Sequence, residues 1–347
     1  MSDHPIRTIT TEHELRALIP PPPSVVHRKK IAGLEKHGSA FIALARLAAA
    51  ATRRSDGSVA ATLHGGAAGF AKVLGEHRLR VPVAADEESA LENVRAHGFA
   101  GFLFLVPGFE ETLRVNGRAS VDGRAIDVEV EEAFFHCPKA FIRSHLWEAV
   151  PAVDPGAADE RTRRQRLDAT SRAFLERAPF WFLATCRADG NADVSPRGDP
   201  PGAIHIVDDT TVLIPDRPGN RLLDNYGNVL ALPSAGVLCL VPGEEIAVSL
   251  TGRATLIADP ELLAPMAVRG KTPVVALRLE LVEVVVQRSG ALANGRVWDA
   301  SGQVDRRSLP TLGQMMADQL EPGRLLNPIL AKGLDVAGRW DAKKNLY

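Results

Sequence analysis

Residues 181–215 read WFLATCRADGNADVSPRGDPPGAIHIVDDTTVLIP, and the fold follows from this stretch. Trp181–Thr185 and Ala192–Ser195 read as strands on either side of the turn Ala188-Asp189-Gly190, because apolar runs lead up to an Asp-Gly pair. Ala203–Val207 and Thr211–Pro215 read as a hairpin about Asp208-Asp209. Further on, Asn220–Leu232 reads as a helix, with Asn220 as its cap and Pro233 beyond its end. Gly236–Val241, Glu245–Ile257 and Val274–Gln287 are β-branched runs, too apolar or too alternating for an exposed helix. Strands outnumber helices, and one helix falls between hairpins. That points to a mainly β fold with peripheral helices (α+β), built as an antiparallel barrel rather than a doubly wound parallel sheet.

The same pattern occurs earlier in the chain. Leu34, Phe41, Ala51-Thr52, Asp56-Gly57, Gly65, Gly69 and Pro82 recur as Leu167, Phe174, Ala184-Thr185, Asp189-Gly190, Gly198, Gly202 and Pro215, each 133 later (for example 167 − 34). Asn93-Val94, Val106-Pro107-Gly108 and Gly117-Arg118-Ala119 recur 135 later, as Asn228-Val229, Val241-Pro242-Gly243 and Gly252-Arg253-Ala254. Past an insertion, DPELLAPMAVRGKTPV, Trp147 matches Trp298, 151 later. An ordered match that includes rare residues reads as an internal duplication. The expected organisation is a first copy over 24–149, a linker and helix start over 150–166, a second copy over 167–302 and an extension over 303–347. The linker lies in the Pro-, Gly- and charge-rich EAVPAVDPGAADERTRRQR. Its basic run, Arg161–Arg166, reads as a solvated helix face.

Composition narrows the class. The 347 residues carry 41 Lys+Arg and 42 Asp+Glu, a net charge of -1, with 45% hydrophobic and 24% charged. Such a chain is globular rather than disordered, and at ~150 residues per domain it holds about two domains. No overall positive charge favours nucleic acid or an anionic membrane. The apolar stretches at Ala40–Ala51 and Phe99–Phe109 fall short of the ~20 residues that a membrane span takes. Cys137, Cys186 and Cys239 are odd in number and far apart, which fits a reducing cytoplasm and no metal knuckle. MSDHPIRTITTEHELRAL has no basic segment followed by an apolar one, so no secretory signal is expected.

Three segments carry candidate chemistry. Asp193-Val194-Ser195-Pro196-Arg197-Gly198-Asp199 and Pro215-Asp216-Arg217-Pro218-Gly219-Asn220-Arg221 each set an arginine between Pro and Gly just after a strand. Such turns can present guanidinium and backbone N–H groups to one anion. The third is His136-Cys137-Pro138-Lys139-Ala140-Phe141-Ile142-Arg143-Ser144-His145-Leu146-Trp147 in the first copy. Lys139 and Arg143, four apart, would share a helix face beside Trp147, which suits a phosphate and a flat ring. Ordinary solvated turns and an amphipathic helix with snorkelling cations are the plainer readings. PMAVRGKT (265–272) departs from a phosphate-binding loop at its first residue and runs into Pro and a strand, and no GxSxG elbow accompanies His64-Gly65-Gly66.

Together, SPRGD, PDRPGNR, VPG, LRVNGRA and HCPKAxxRSxLW resemble the pyridoxamine-phosphate-oxidase-related FMN-binding split-barrel family over roughly residues 24–320. The resemblance implies two tandem split β-barrels packed as a pseudo-dimer, with FMN in a groove that touches both. The chain departs from the pattern in a complementary way. In the first copy SPRGD reads Thr62-Leu63-His64-Gly65-Gly66 and PDRPGN reads Pro82-Val83-Ala84-Ala85-Asp86-Glu87. In the second copy the HCPKAFIRSHLW position reads QRSGALANGRVW, residues 287–298. One groove should therefore combine the early motifs of the second copy with the late motifs of the first, and the other groove should be dead.

For the intact groove the resemblance implies Ser195, Arg197 and Arg217 at the phosphate or ribityl chain, with Asn220 assisting. Thr185 would lie near the isoalloxazine edge, and Lys139, Arg143, Ser144 and Trp147 would reach across from the first copy. No catalytic acid or base is assignable, although His136 and His205 are candidates. The expected function is an FMN-dependent oxidoreductase acting on a small molecule, with NAD(P)H a candidate donor, no metal, and further self-association open. The alternatives are a non-catalytic flavin-binding or storage protein, or a barrel rededicated to heme or a deazaflavin.

Overall fold

A computed structural model describes residues 5–148, 161–320 and 327–347. The first half contributes seven strands: β1 (Leu47–Arg53), β2 (Val59–Gly65), β3 (Lys72–Gly75), β4 (Arg78–Pro82), β5 (Phe99–Leu105), β6 (Thr112–Asp122) and β7 (Ala125–His136). The second contributes β8 (Phe180–Cys186), β9 (Ala192–Gly198), β10 (His205–Ile206), β11 (Thr211–Pro215), β12 (Ser234–Leu240), β13 (Ile246–Ile257) and β14 (Ala276–Arg288). The spatial orders are β2-β1-β5-β6-β7-β4-β3 and β9-β8-β12-β13-β14-β11-β10. These are one topology twice, and every pairing is antiparallel. Two split barrels thus pack as a pseudo-dimer. Short strands at Thr8–Ile9 and Thr162–Arg164 add to the second sheet by pairing with β13 and β14.

Each barrel bends at an equivalent bulge, between Asn116 and Gly117 in one and between Thr251 and Gly252 in the other. A Cβ at Gly117 would lie 1.9 Å from the Glu129 carbonyl oxygen, and one at Gly252 would lie 2.2 Å from that of Glu280. The repeated glycine is a requirement of that close approach.

Central strands are buried on both faces, which explains their unbroken apolar runs. On β1, Ala48 and Ala50 enter the first barrel's core, whereas Leu47, Ala49 and Ala51 face the other barrel. On β8, Trp181 and Leu183 point inward, while Phe180, Phe182 and Ala184 meet the first barrel's apolar face. Burial of this shared layer joins the halves.

Three local expectations are corrected. Pro196 and Arg197 belong to β9 itself, paired with Phe182 and Trp181, and do not form a turn after it. An edge strand tolerates a proline whose missing N–H faces away from the ladder. The helix expected from Asn220 begins at Asp224. The basic run Arg161–Arg166 contains a strand, Thr162–Arg164, in place of a helix, because β14 offers it free ladder groups at Val284–Val286. Most of the expected linker, 150–160 of 150–166, lies outside the described residues. No helix among the described residues is long and apolar enough to cross a membrane.

Candidate functional site

A cleft of about 520 Å³ opens between the two barrels. That volume suits a small ligand or cofactor. Helix α1 (Lys139–Ser144) forms one wall, and burial covers both Lys139 and Arg143 on it. The helix can sit this close because residue 198 of β9 is glycine: a Cβ there would lie 2.0 Å from the Ala140 carbonyl oxygen. Arg143 ties the halves together, donating from Nε to the Gly198 carbonyl at 3.0 Å and from Nη1 to that of Pro218 at 3.2 Å.

Ser195 and Arg197 of β9 and the loop from Asp216 to Leu223 form the facing wall. The two arginine motifs lock each other. Arg197 meets Asp216 at 2.8 Å and lies over the Tyr226 ring, 5.2 Å from its centroid. Arg217 meets Asp199 at 2.6 Å and donates to the Met266 carbonyl at 2.8 Å. Burial raises the Asp199 carboxyl, and the Arg217 charge opposes that shift. Each arginine is thus balanced by the acid of the other motif, which makes the charge facing a ligand smaller than a count of arginines gives.

The loop is held in an uncommon conformation. Arg221 and Leu223 have φ of 60° and 63°, in the left-handed region that disfavours side chains. Asn220 Oδ1 accepts from the Leu222 N–H at 3.0 Å, and Arg16 donates to the Arg221 and Leu222 carbonyls at 2.8 and 2.9 Å. This turn delays the helix and aims its first residues at the cleft. Such strain clusters at functional sites.

Arg114 of β6 forms the floor. It donates to Asp193 at 3.0 Å, to Asp224 at 3.2 Å, to the Val194 carbonyl at 2.9 Å and to the Ser195 hydroxyl, which in turn donates to Asn225 Oδ1. A further Nη2 contact reaches His136 Nε2 at 3.1 Å. Burial, then the nearby Arg114 and Lys29 charges, holds His136 well below its ordinary pKa, so the ring is neutral. A neutral ring that accepts at Nε2 carries its proton on Nδ1. His136 Nδ1 and Arg197 Nε, whose residues line the cleft, are among the described buried atoms without a partner, as are His64 Nδ1 and Gln287 Oε1 at the equivalent positions of the other half. Unsatisfied donors in the cleft fit a ligand rich in acceptors. Glu132, Asp193 and Asp224 come within 4.8 Å of one another at the floor. Lys30 answers Glu132 and Asp224 at 3.0 and 2.9 Å, and Arg114 answers Asp193, so cationic side chains already serve this acidic group.

Of the residues singled out in the sequence, Ser195, Arg197, Arg217, Asn220, Lys139, Arg143 and His136 line this one cleft. Four others lie elsewhere. Thr185 is buried beneath it, accepting from Asn225 and Asn228 at 2.9 and 3.0 Å. Ser144 donates to the Phe141 carbonyl at 3.2 Å, since a hydroxyl on the last turn of a short helix reaches its own backbone. Trp147 packs against Trp298, with ring centroids 5.8 Å apart, and donates to the Phe109 carbonyl. The Trp pair belongs to the apolar layer between the halves. His205 is half-buried on its two-residue strand and does not line the cleft. Sequence reasoning missed Arg114, although it sits within LRVNGRA and has Ser249 as its counterpart 135 later.

The equivalent groove on the other side holds about 20 Å³. Its lining includes Thr62, Ser249 and Gln287 at the positions of Ser195, Arg114 and His136, and Glu87 at that of Asn220. Where the open cleft has Arg197, Arg217, Lys139 and Arg143, this side has His64, Ala84, Gly290 and Asn294.

The fold and the cleft define a two-barrel antiparallel protein with a single cationic groove of useful size among its described residues. Residues 167–288 match the family model described as pyridoxamine 5'-phosphate oxidase, and this split barrel is related to that family. Among solved structures it is similar to HupZ of Group A Streptococcus, at 12% identity and a TM-score of 0.29, covering 36% of this chain and 96% of that one. The FAD binding protein from Mycobacterium smegmatis aligns at 17% identity and a TM-score of 0.25, covering 36% and 97%. General Stress Protein 26 from Bacillus anthracis aligns at 14% identity and a TM-score of 0.25, covering 32% and 84%. A comparison with the curated proteins finds no match.

Proposed function

We propose that this chain binds one FMN in the cleft between its halves and acts as an FMN-dependent oxidoreductase on a small molecule. The observation that carries this reading is the contrast between the grooves. Four cations from both halves line a cleft of about 520 Å³, whereas the equivalent sequence positions carry His64, Ala84, Gly290 and Asn294 and the equivalent groove, with Arg54 and Arg161 beside Glu87 and Glu283 in its lining, holds about 20 Å³. We read the repeated topology as a gene duplication whose copies lost opposite motifs, leaving one composite site.

Lys139 and Arg143 would hold the phosphate across the seam, with Arg197 and Arg217 completing its cradle from the second half. Ser195 and Asn220 would orient the ribityl chain. His136, neutral and with its proton on Nδ1, would donate to an acceptor on the ring edge. The bound flavin supplies the redox chemistry, and the protein positions it and shapes its surroundings.

The test is titration of the purified protein with FMN, followed by flavin fluorescence and absorbance. One equivalent per chain is expected. Two equivalents would refute the single composite site, and no binding would refute the flavin reading. Bleaching by NAD(P)H without oxygen, absent from a mere carrier, would establish the oxidoreductase.

A further inference from the structure

We infer that residues 341–347 are an internal occupant of the cleft, one that a phosphate-bearing ligand must displace; this rests on the proposed flavin site and adds a control to it. Asp341 meets Lys139 Nζ at 2.6 Å, and the same ammonium donates to the Asn345 carbonyl at 3.1 Å. Arg143 Nη1 donates to the Leu346 carbonyl at 2.8 Å, and Lys271 Nζ to the Tyr347 backbone oxygen at 2.7 Å. The Tyr347 ring lies beneath the Arg217 and Arg269 guanidinium groups, 5.7 and 5.4 Å from its centroid.

Carboxylate and carbonyl oxygens on an ammonium and a guanidinium take the places that phosphate oxygens would take. Lys139 Nζ already meets both the Asp341 carboxylate and the Asn345 carbonyl, so a phosphate oxygen at that ammonium takes the place of one of them. A lid that closes over a bound ligand would pack on the ligand's far side and leave these cations free. This segment bonds to the cations themselves, which makes it a competitor. It is delivered by helix α2 (Asn327–Lys344), which is moored outside the cleft: Asp335 accepts from Thr311 Oγ1 at 2.6 Å and from the Gly313 N–H at 2.9 Å. The mooring keeps the segment close after release, so displacement is reversible and its local concentration stays high. The measured affinity for a ligand is then the intrinsic affinity scaled by the fraction of open molecules.

The experiment compares the full chain with the Asp341→Ala/Tyr347→Ala variant. FMN affinity is measured by titration, and hydrogen exchange of residues 327–347 is followed with and without FMN. The variant should bind FMN at least about threefold more tightly, as expected when a competing state loses its contacts. In the natural chain, FMN should speed exchange in 327–347 while protecting 216–226. Weaker or unchanged binding by the variant, or protection of 327–347 by FMN, overturns the inference and leaves the flavin reading standing. If neither protein binds FMN, the flavin reading falls, and inorganic pyrophosphate decides the inference. Faster exchange in 327–347 with pyrophosphate upholds it, and unchanged exchange overturns it.

Discussion

Arg114 of the first half and Asp193 of the second lie 3.0 Å apart, both buried, at the seam between the barrels. Removing one partner of a buried pair strands the other charge at a cost of about 3–5 kcal/mol. Arg114→Met should therefore destabilise the chain by about that much in urea unfolding. The double variant Arg114→Met/Asp193→Asn should recover part of the loss. A double variant that is worse than the single one would show that the pair is not the coupling across the seam.

Arg217 faces the cleft while holding the fully buried Asp199. Arg217→Ala should weaken FMN binding more than tenfold, since a charge-assisted contact is worth about 1.5–3 kcal/mol, and should also lower the melting temperature. Arg217→Lys should restore stability more fully than affinity, because a point charge answers Asp199 but cannot reproduce the planar fork. Unchanged affinity in Arg217→Ala would remove this residue from the site.

Glu87, in the small groove, accepts from Gln287 at 2.9 Å. Burial, then the Asp86 charge, pushes its carboxyl up to about 7, against an opposing Arg161. The folded state therefore keeps a proton that the unfolded chain loses between about pH 4.5 and 7. The stabilisation is full below the unfolded value and is lost as pH rises through about 7. Glu87→Gln cannot ionise and keeps the acceptor for Gln287. Relative to the natural chain it should gain about 1–3 kcal/mol more at pH 8 than at pH 4.5. Denaturation curves at the two pH values measure this, and equal differences would contradict it.

Gly117 and Gly252 occupy equivalent bulges against backbone oxygens that cannot step aside. Alanine at either position should cost about 3 kcal/mol through forced backbone shifts. Thermal unfolding of the two variants should show matching losses, since the geometry is the same in both barrels.

Strand content was readable along the chain, because turn chemistry and apolar runs are local signals. Asp56-Gly57 and Asp189-Gly190 each close a hairpin between strands that pair as expected. Misplaced boundaries arose where tertiary contacts prevailed. Arg16 holds the Arg221 and Leu222 carbonyls from some two hundred positions away, and that is why the helix starts at Asp224 rather than at its apparent cap, Asn220.

From the order of its residues alone, this protein declared a β-rich unit and a pattern of residues that recurs along the chain, which the repeated strand order matches. Spatial packing supplied the rest: Arg114 beneath Ser195, each motif's arginine neutralised by the other's aspartate, and Tyr347 folded back onto Arg217. The division has a physical cause. Turn and strand preferences act over a few neighbouring residues, whereas burying two apolar sheet faces against each other is indifferent to sequence distance. It brings whichever side chains border those faces into contact.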